Sequence, residues 1–216
     1  MSTAATSATH TDRGFLRTRI GSAVAIAPLG VWTVVHLWNN LAAFKGGAEW
    51  ERAVTEYDHP IAFFFSSLIA LLPLGIHTVW GIGRLFTVKP NNVRYRYFQN
   101  VKYALQRLSA IGVLLFLGAH LWKAMLSPRL MHGRAETFAD ISTTMHHHLP
   151  TLVVYVLGVL GVAYHLANGV QTFTMGWGIV TSRAALKRLE KLIVLFFLLL
   201  LGMGWAGVYA LWAAGA

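Results

Sequence analysis

The stretch ISTTMHHHLPTLVVYVLGVLGVAYHLANGVQTFTMGWGIVTS, Ile141 to Ser182, runs for 42 residues without an Asp, Glu, Lys or Arg. A helix needs only about 20 predominantly apolar residues to cross the hydrocarbon core of a bilayer. The stretch therefore reads as a membrane span, and the pattern recurs along the chain. Charge-free windows of 25 residues run from Ile20 to Phe44, from His59 to Gly83 and from Leu192 to Ala216. A fifth, Leu108 to Trp122, has 15 residues between charges. Its flanking Arg107 and Lys123 are long cations that can snorkel to an interface. The expectation is an all-α integral membrane protein with five transmembrane helices, at about 20–44, 60–86, 103–126, 149–175 and 191–214. Gly46-Gly47, Lys89-Pro90-Asn91-Asn92 and Ser127-Pro128 mark breaks. Residues 1–19 read as a polar tail, and 20–216 as a single membrane domain. A cleavable leader fits poorly, because an apolar run of 25 residues exceeds the roughly 7–15 of a signal peptide.

Composition agrees with this reading. Of 216 residues, 56% are hydrophobic and 12% charged, about half the charged share of a soluble domain. The chain has no cysteine, which excludes a disulfide framework, a cysteine-ligated iron–sulfur cluster and a thiolate nucleophile. The net charge of +10 is carried by no aromatic-interleaved basic module, so nucleic acid is not an expected partner.

Five crossings divide the loops into two sets. The set containing the N-terminus (1–19, 84–107, 183–191) holds 13 of the 18 basic residues. Six of the eight acids, Glu49, Glu51, Glu56, Asp58, Glu136 and Asp140, fall in the other set. Basic loops stay cytoplasmic, which places the N-terminus inside and the C-terminus outside.

Four of the ten histidines, His36, His77, His120 and His165, lie inside apolar spans. Ionisable groups there are costly and face the bundle interior. At 1.5 Å per residue, His36 comes roughly 25 Å after Arg19 and His120 roughly 20 Å after Arg107, both near the outer side. His77 is roughly 25 Å below Pro60 and His165 roughly 22 Å below Pro150, both in the inner half. The four histidines thus form two layers, His36 with His120 and His77 with His165. Two bis-imidazole pairs are what two b-type haems require of a helical bundle, here formed by the first four spans. A zinc or proton-relay site fits less well, since one metal centre gathers its ligands at one depth. Gly75, Gly81, Gly118, Gly161 and Gly169 lie near the ligands in sequence. As a set they leave room for a porphyrin, while any one of them alone is better read as packing helix on helix.

APLGVWTVVHLWNN around His36, LPLGIHTVWGIGRLF around His77, YFQNVKYALQRLSAIGVLLFLGAHLW leading to His120 and YVLGVLGVAYHLANGVQTFTMGWGIV around His165 together resemble one family. It is the five-helix, dihaem cytochrome b anchor of bacterial succinate:quinone oxidoreductases and quinol:fumarate reductases. The resemblance implies a bacterial cytoplasmic membrane location and a place in the respiratory chain and the tricarboxylic acid cycle. It implies two haems b, His36 and His120 ligating the outer and His77 and His165 the inner. It also implies flavoprotein and iron–sulfur partner subunits, and is compatible with a higher oligomer of the heterotrimer. Electrons would pass from the iron–sulfur subunit through the inner and then the outer haem to a quinone, typically menaquinone; the alternative is a fumarate reductase anchor running in reverse. The chain has no G-x-G-x-x-G fingerprint at a strand–helix junction and no cysteine, so the dicarboxylate chemistry would belong to the partners.

Relatives in that family carry an essential carboxylate beyond the first haem histidine. Asp58 matches its position best and Glu56 lies beside it, as candidates for quinone protonation; Asp58 also suits an N-cap of the second span. Ser22, Arg19 and Arg107 are candidates for the inner haem's propionates, Arg107 being equally suited to snorkelling. Some relatives place a glutamate two residues before the fourth ligand, where this chain has Ala163, which favours succinate oxidation. His146, His147 and His148 cannot all point one way on a helix, and read as mostly solvated.

Overall fold

The structure, a computed structural model, describes residues 19–56, 59–87 and 97–216. Five helices among them are long and apolar enough to cross a membrane: α1 (Arg19–Lys45), α3 (Pro60–Thr87), α4 (Asn100–His132), α6 (Leu149–Gly176) and α7 (Arg183–Ala214). Two short helices, α2 (Gly47–Val54) and α5 (Phe138–His147), lie in the connections. No strand occurs among the described residues. The five long helices match the spans read from charge spacing.

Two helices outrun their apolar stretches. α7 starts at Arg183, eight residues before the expected span, because the Ser182 hydroxyl accepts from the Ala185 N–H at 3.2 Å and caps the helix there. A helical ladder tolerates charge wherever side chains reach water, so Arg183 to Lys191 form its polar first turns. α4 continues to His132 through a π-turn over Leu121–Leu126. α1 is broken near its start, where Ala27 departs from helical geometry beside Pro28, a residue that cannot donate to the ladder.

The helices alternate in direction, and contacts fix which ends lie together. At the basic end, Lys102 of α4 pairs with Glu190 of α7 at 3.1 Å. Trp177 Nε1 donates to Ser22 Oγ at 3.3 Å, joining the end of α6 to the start of α1. At the acidic end, Glu51 of α2 accepts from the Phe138 N–H at 2.7 Å. The α5 helix is fastened by a reciprocal cap between Thr137 and Asp140, and Arg134 donates to both Asp140 oxygens.

α6 is the central element and packs along both α7 and α4. One buried cluster joins Trp50, Ile141, Met145, Tyr155 and Leu211; a second joins Leu37, Ala163 and Leu200. The outward faces are apolar: Val79 is 75% exposed and Leu115 71%, a surface suited to lipid and not to water. α3 packs on the broken start of α1. There a methyl on Gly21 would meet the Trp80 indole at 2.6 Å, so this close approach needs glycine. The rest of the inward face of α3 lines a central cavity.

Candidate functional site

That cavity, about 460 Å³, is walled by α1, α3, α4, α6 and α7 and is almost wholly apolar. α7 contributes Gly204, Gly207 and Val208 to the wall, so five helices line the space although its four histidines come from the first four long helices. All four face into it. The His36 and His120 rings lie 5.9 Å apart between centroids with planes at 66°. The His77 and His165 rings lie 6.2 Å apart at 61°. The structure therefore brings together the residues that share a depth, one pair toward the acidic end and one toward the basic end.

The surroundings hold each ring in place. Trp32 stacks on His36 at 4.8 Å. Asn40 donates to the His36 carbonyl at 2.8 Å, lies 3.4 Å from His36 Nε2 and accepts from Trp50 Nε1 at 3.2 Å. Phe116 stacks on His120 at 5.5 Å, and the Tyr155 hydroxyl lies 3.2 Å from His120 Nδ1. At the other pair, Gln106 Nε2 donates to the His165 carbonyl at 3.1 Å while Asn168 donates to Gln106 Oε1 at 2.8 Å. Ser109 Oγ lies 3.3 Å from His165 Nδ1 and donates to the Gln106 carbonyl. His77 Nδ1 is buried with no hydrogen-bond partner among the described residues.

These features fit a metal held between paired imidazoles. A group held between imidazoles of facing helices would take His36 with His120 and His77 with His165, the rings that approach each other inside the cavity. A cavity lined by Leu, Val and Gly suits an apolar macrocycle, and polar partners on ring nitrogens select which nitrogen stays free to ligate. Among the described residues no group of three or more His, Cys, Asp or Glu gathers around a point.

The other candidates divide. Ser22 and Arg107 line the cavity at the basic end, and Arg19 lies beside Gly176 outside the lining. Arg107 also donates to the Arg84 and Leu85 carbonyls at 3.1 and 3.2 Å, closing the C-terminus of α3. Asp58 lies outside the described residues; Glu56 is exposed, its N–H bonded to the Glu51 carbonyl at 2.7 Å. Of the five glycines, Gly81 and Gly169 face the cavity; Gly75, Gly118 and Gly161 do not. Gly75 and Gly118 are exposed on the outward faces. His146 stacks on Trp212, and His148 accepts from the Thr151 N–H as the cap of α6; His147 is exposed.

Sequence reading missed the polar partners of the rings. Asn40 is four residues after His36 and Asn168 three after His165, one helical turn away on the same face, which is a usable signal. Tyr155, Gln106 and Ser109 come from other helices and leave none.

It also missed Glu136 as a buried residue. Only 4% exposed, its carboxyl is pushed up to about 7, first by burial, then by Asp140, while Lys123 and Arg129 oppose the shift. A carboxyl that binds its proton more tightly when folded gives most stability below its ordinary value of 4.5, and that contribution is lost as pH rises through about 7. Glu136→Gln is therefore expected to raise the thermal unfolding midpoint at pH 8 and leave it unchanged at pH 4. The gain is on the order of 2 kcal/mol, allowing for residual burial in the unfolded chain. An equal midpoint at pH 8 would refute it.

Comparison with known proteins supplies the context for this geometry. Residues 87–204, more than half of the chain, match the family described as Succinate dehydrogenase/Fumarate reductase transmembrane subunit. The chain is also similar to the succinate dehydrogenase cytochrome b558 subunit of Bacillus subtilis (strain 168), 29% identical over 204 residues that cover 94% of this chain and 98% of the relative.

Proposed function

This chain belongs to the succinate dehydrogenase/fumarate reductase transmembrane subunit family, and we propose that it is the cytochrome b that carries electrons from an iron–sulfur subunit through two haems b to a quinone. It is a multi-pass membrane protein. The observation that carries the haem assignment is the approach of His36 to His120 and of His77 to His165, from four different helices, inside one apolar cavity. The excess of basic residues at one end supports a cytoplasmic N-terminus. The same basic end is then the docking face for the iron–sulfur subunit, with the flavoprotein beyond it.

His77 and His165 would hold the inner haem, and His36 and His120 the outer. Bound haem b supplies one-electron transfer, which needs no movement of the protein. The chain's own residues set the conditions for it. If His165 ligates through Nε2, its Nδ1 stands between Ser109 Oγ at 3.3 Å and Gln106 Nε2 at 3.2 Å, polar neighbours that hold the ring's rotation. Tyr155 can do the same for the His120 ring at Nδ1. Ser22 and Arg107, at the basic end of the cavity, are the groups available to the inner haem's propionates.

The reaction is read in the direction of succinate oxidation with menaquinone as acceptor. Ala163 supports this: its side chain is fully buried against Leu37 and Leu200, so no carboxyl on that face serves a proton route across the membrane. The reverse reaction would need one elsewhere.

A reduced-minus-oxidised spectrum of the purified protein tests the assignment; two b-type haems are expected, and a spectrum without haem absorbance defeats it. Quinone reduction consumes two protons at the outer side, and Asp58, with Glu56 beside it, is proposed to deliver them. Asp58→Asn is expected to leave both haem spectra intact and to lower quinone-linked turnover by about a hundredfold, the lower end of the range for losing a proton-transfer group. Undiminished turnover with a menaquinone analogue would remove Asp58 from the mechanism.

A further inference from the structure

The acidic end contains one carboxyl whose placement the functions above do not use. Glu49 pairs with Arg52 at 2.8 Å, Glu51 accepts from the Phe138 N–H, and Asp140 is held by Arg134 and the Thr137 cap. Glu56 is exposed. Glu136 differs: it is buried in the turn before α5, and among the described residues no hydrogen bond or ion pair reaches its carboxyl. The charged groups around it are Lys123 and Arg129 from the end of α4 and Asp140 from α5. Tyr155 of α6 lies within its electrostatic reach, and the Tyr155 hydroxyl is 3.2 Å from His120 Nδ1. Tyr155 is itself only 8% exposed, so both groups are largely removed from water.

We propose that Glu136 is the proton acceptor coupled to electron arrival at the His36–His120 site. This rests on the reading of that pair as haem ligands. An electron at that site would tighten proton binding by Glu136, so that more of its carboxylates take a proton from water at the outer surface and become the carboxylic acid. When the electron passes on, the acid releases the proton. The partial uptake repeats with each of the two electrons that convert a quinone to a quinol, the quinone's own protons being delivered by Asp58. The carboxyl thereby offsets part of the charge that each electron brings into a dry region, and it does so from the side where protons are consumed.

A unit change of charge at about 10 Å, across an effective dielectric near 20, shifts a proton equilibrium by roughly tenfold. Burial pushes the carboxyl up to about 7, so a shift of that size changes its charge near neutrality. By linkage, the oxidised-to-reduced ratio of the outer haem at a fixed applied potential is then expected to change by about fourfold per pH unit around neutrality.

The experiment is an optical redox titration of the haem-loaded protein at a series of pH values, for the wild type and Glu136→Gln. The wild type should show the pH dependence in the outer haem, and Glu136→Gln should flatten it while leaving the inner haem unchanged. A pH-independent outer haem in the wild type, or an undiminished dependence in Glu136→Gln, overturns the proposal. Should Glu136→Gln fail to assemble, the redox-difference infrared spectrum of the wild type decides. Reduction should produce a protonated-carboxyl band whose frequency moves in Glu136→Asp, and a spectrum with no such band overturns the proposal. If no outer haem is found, the functional reading itself fails and takes this inference with it. Two haems with no coupled carboxyl defeat the inference alone.

Discussion

Alanine at His36 and alanine at His120 are each expected to remove the same single haem, and alanine at His77 or His165 the other. Each ring has one partner about 6 Å away across the cavity, and bis-imidazole ligation fails when either nitrogen is removed. The expected result is two spectral classes, one shared by His36→Ala and His120→Ala and one by His77→Ala and His165→Ala, each retaining about half the haem of the wild type. The losses should differ in consequence. Without the outer haem the inner one should still accept electrons from the iron–sulfur side, but quinone reduction should fall by orders of magnitude. Redox difference spectra with a haem determination would measure this. A haem common to His36→Ala and His77→Ala would overturn the pairing.

Leucine at Gly158 is expected to be the most damaging substitution outside the histidines. A methyl there would already fall 2.1 Å from the Phe116 ring, far inside contact distance. Phe116 has little freedom to retreat, because its ring stacks on His120 at 5.5 Å and meets Tyr155 edge-on at 5.5 Å. Overpacking of this kind costs about 1–3 kcal/mol for modest insertions, and a full leucine side chain should exceed about 3 kcal/mol. The strain falls directly on the outer ring, so Gly158→Leu should lose the outer haem before the protein loses its fold. Gly158→Ala should be intermediate, and Phe116→Ala should partly rescue it by opening the space. Gly75→Ala is the control: its Cβ would meet nothing within 4 Å, and an exposed helical glycine gains slightly from alanine. Equal tolerance of Gly158→Leu and Gly75→Ala would show that the contact is not maintained.

The helices were legible because apolar length is a property of consecutive residues. The depth of each histidine was legible for a related reason: with a constant rise per residue, counting from a charged boundary gives height in the bundle. Rotation about the helix axis was not legible at the same precision, and this is where the reading of the glycines divided. Gly75 and Gly118 each lie two residues before a histidine, a step of about 200° that turns them away from the cavity; Gly81 and Gly169, four residues after theirs, return to the same face. The helical start of α7, at Arg183, precedes its apolar window because charge ends such a window without ending a helix. Ser182, the residue that does set the start, is recognised by the hydrogen bond its hydroxyl accepts.

By itself the sequence determined that this chain crosses a membrane five times, that one end is basic and the other acidic, and that four histidines lie at two heights. All of these follow from the cost of charge in hydrocarbon and the fixed pitch of a helix, which depend only on neighbours along the chain. The tertiary structure alone decided what surrounds each histidine. Tyr155 reaches His120 from another helix, and Gln106 and Ser109 converge on His165. α7 lines the cavity, and Glu136 sinks beneath the turn before α5 while the other described acids at that end are paired, used in caps or exposed. These are contacts between residues distant in sequence, set by the rotation and packing of whole helices against one another, and no local count of charge or hydropathy contains that information.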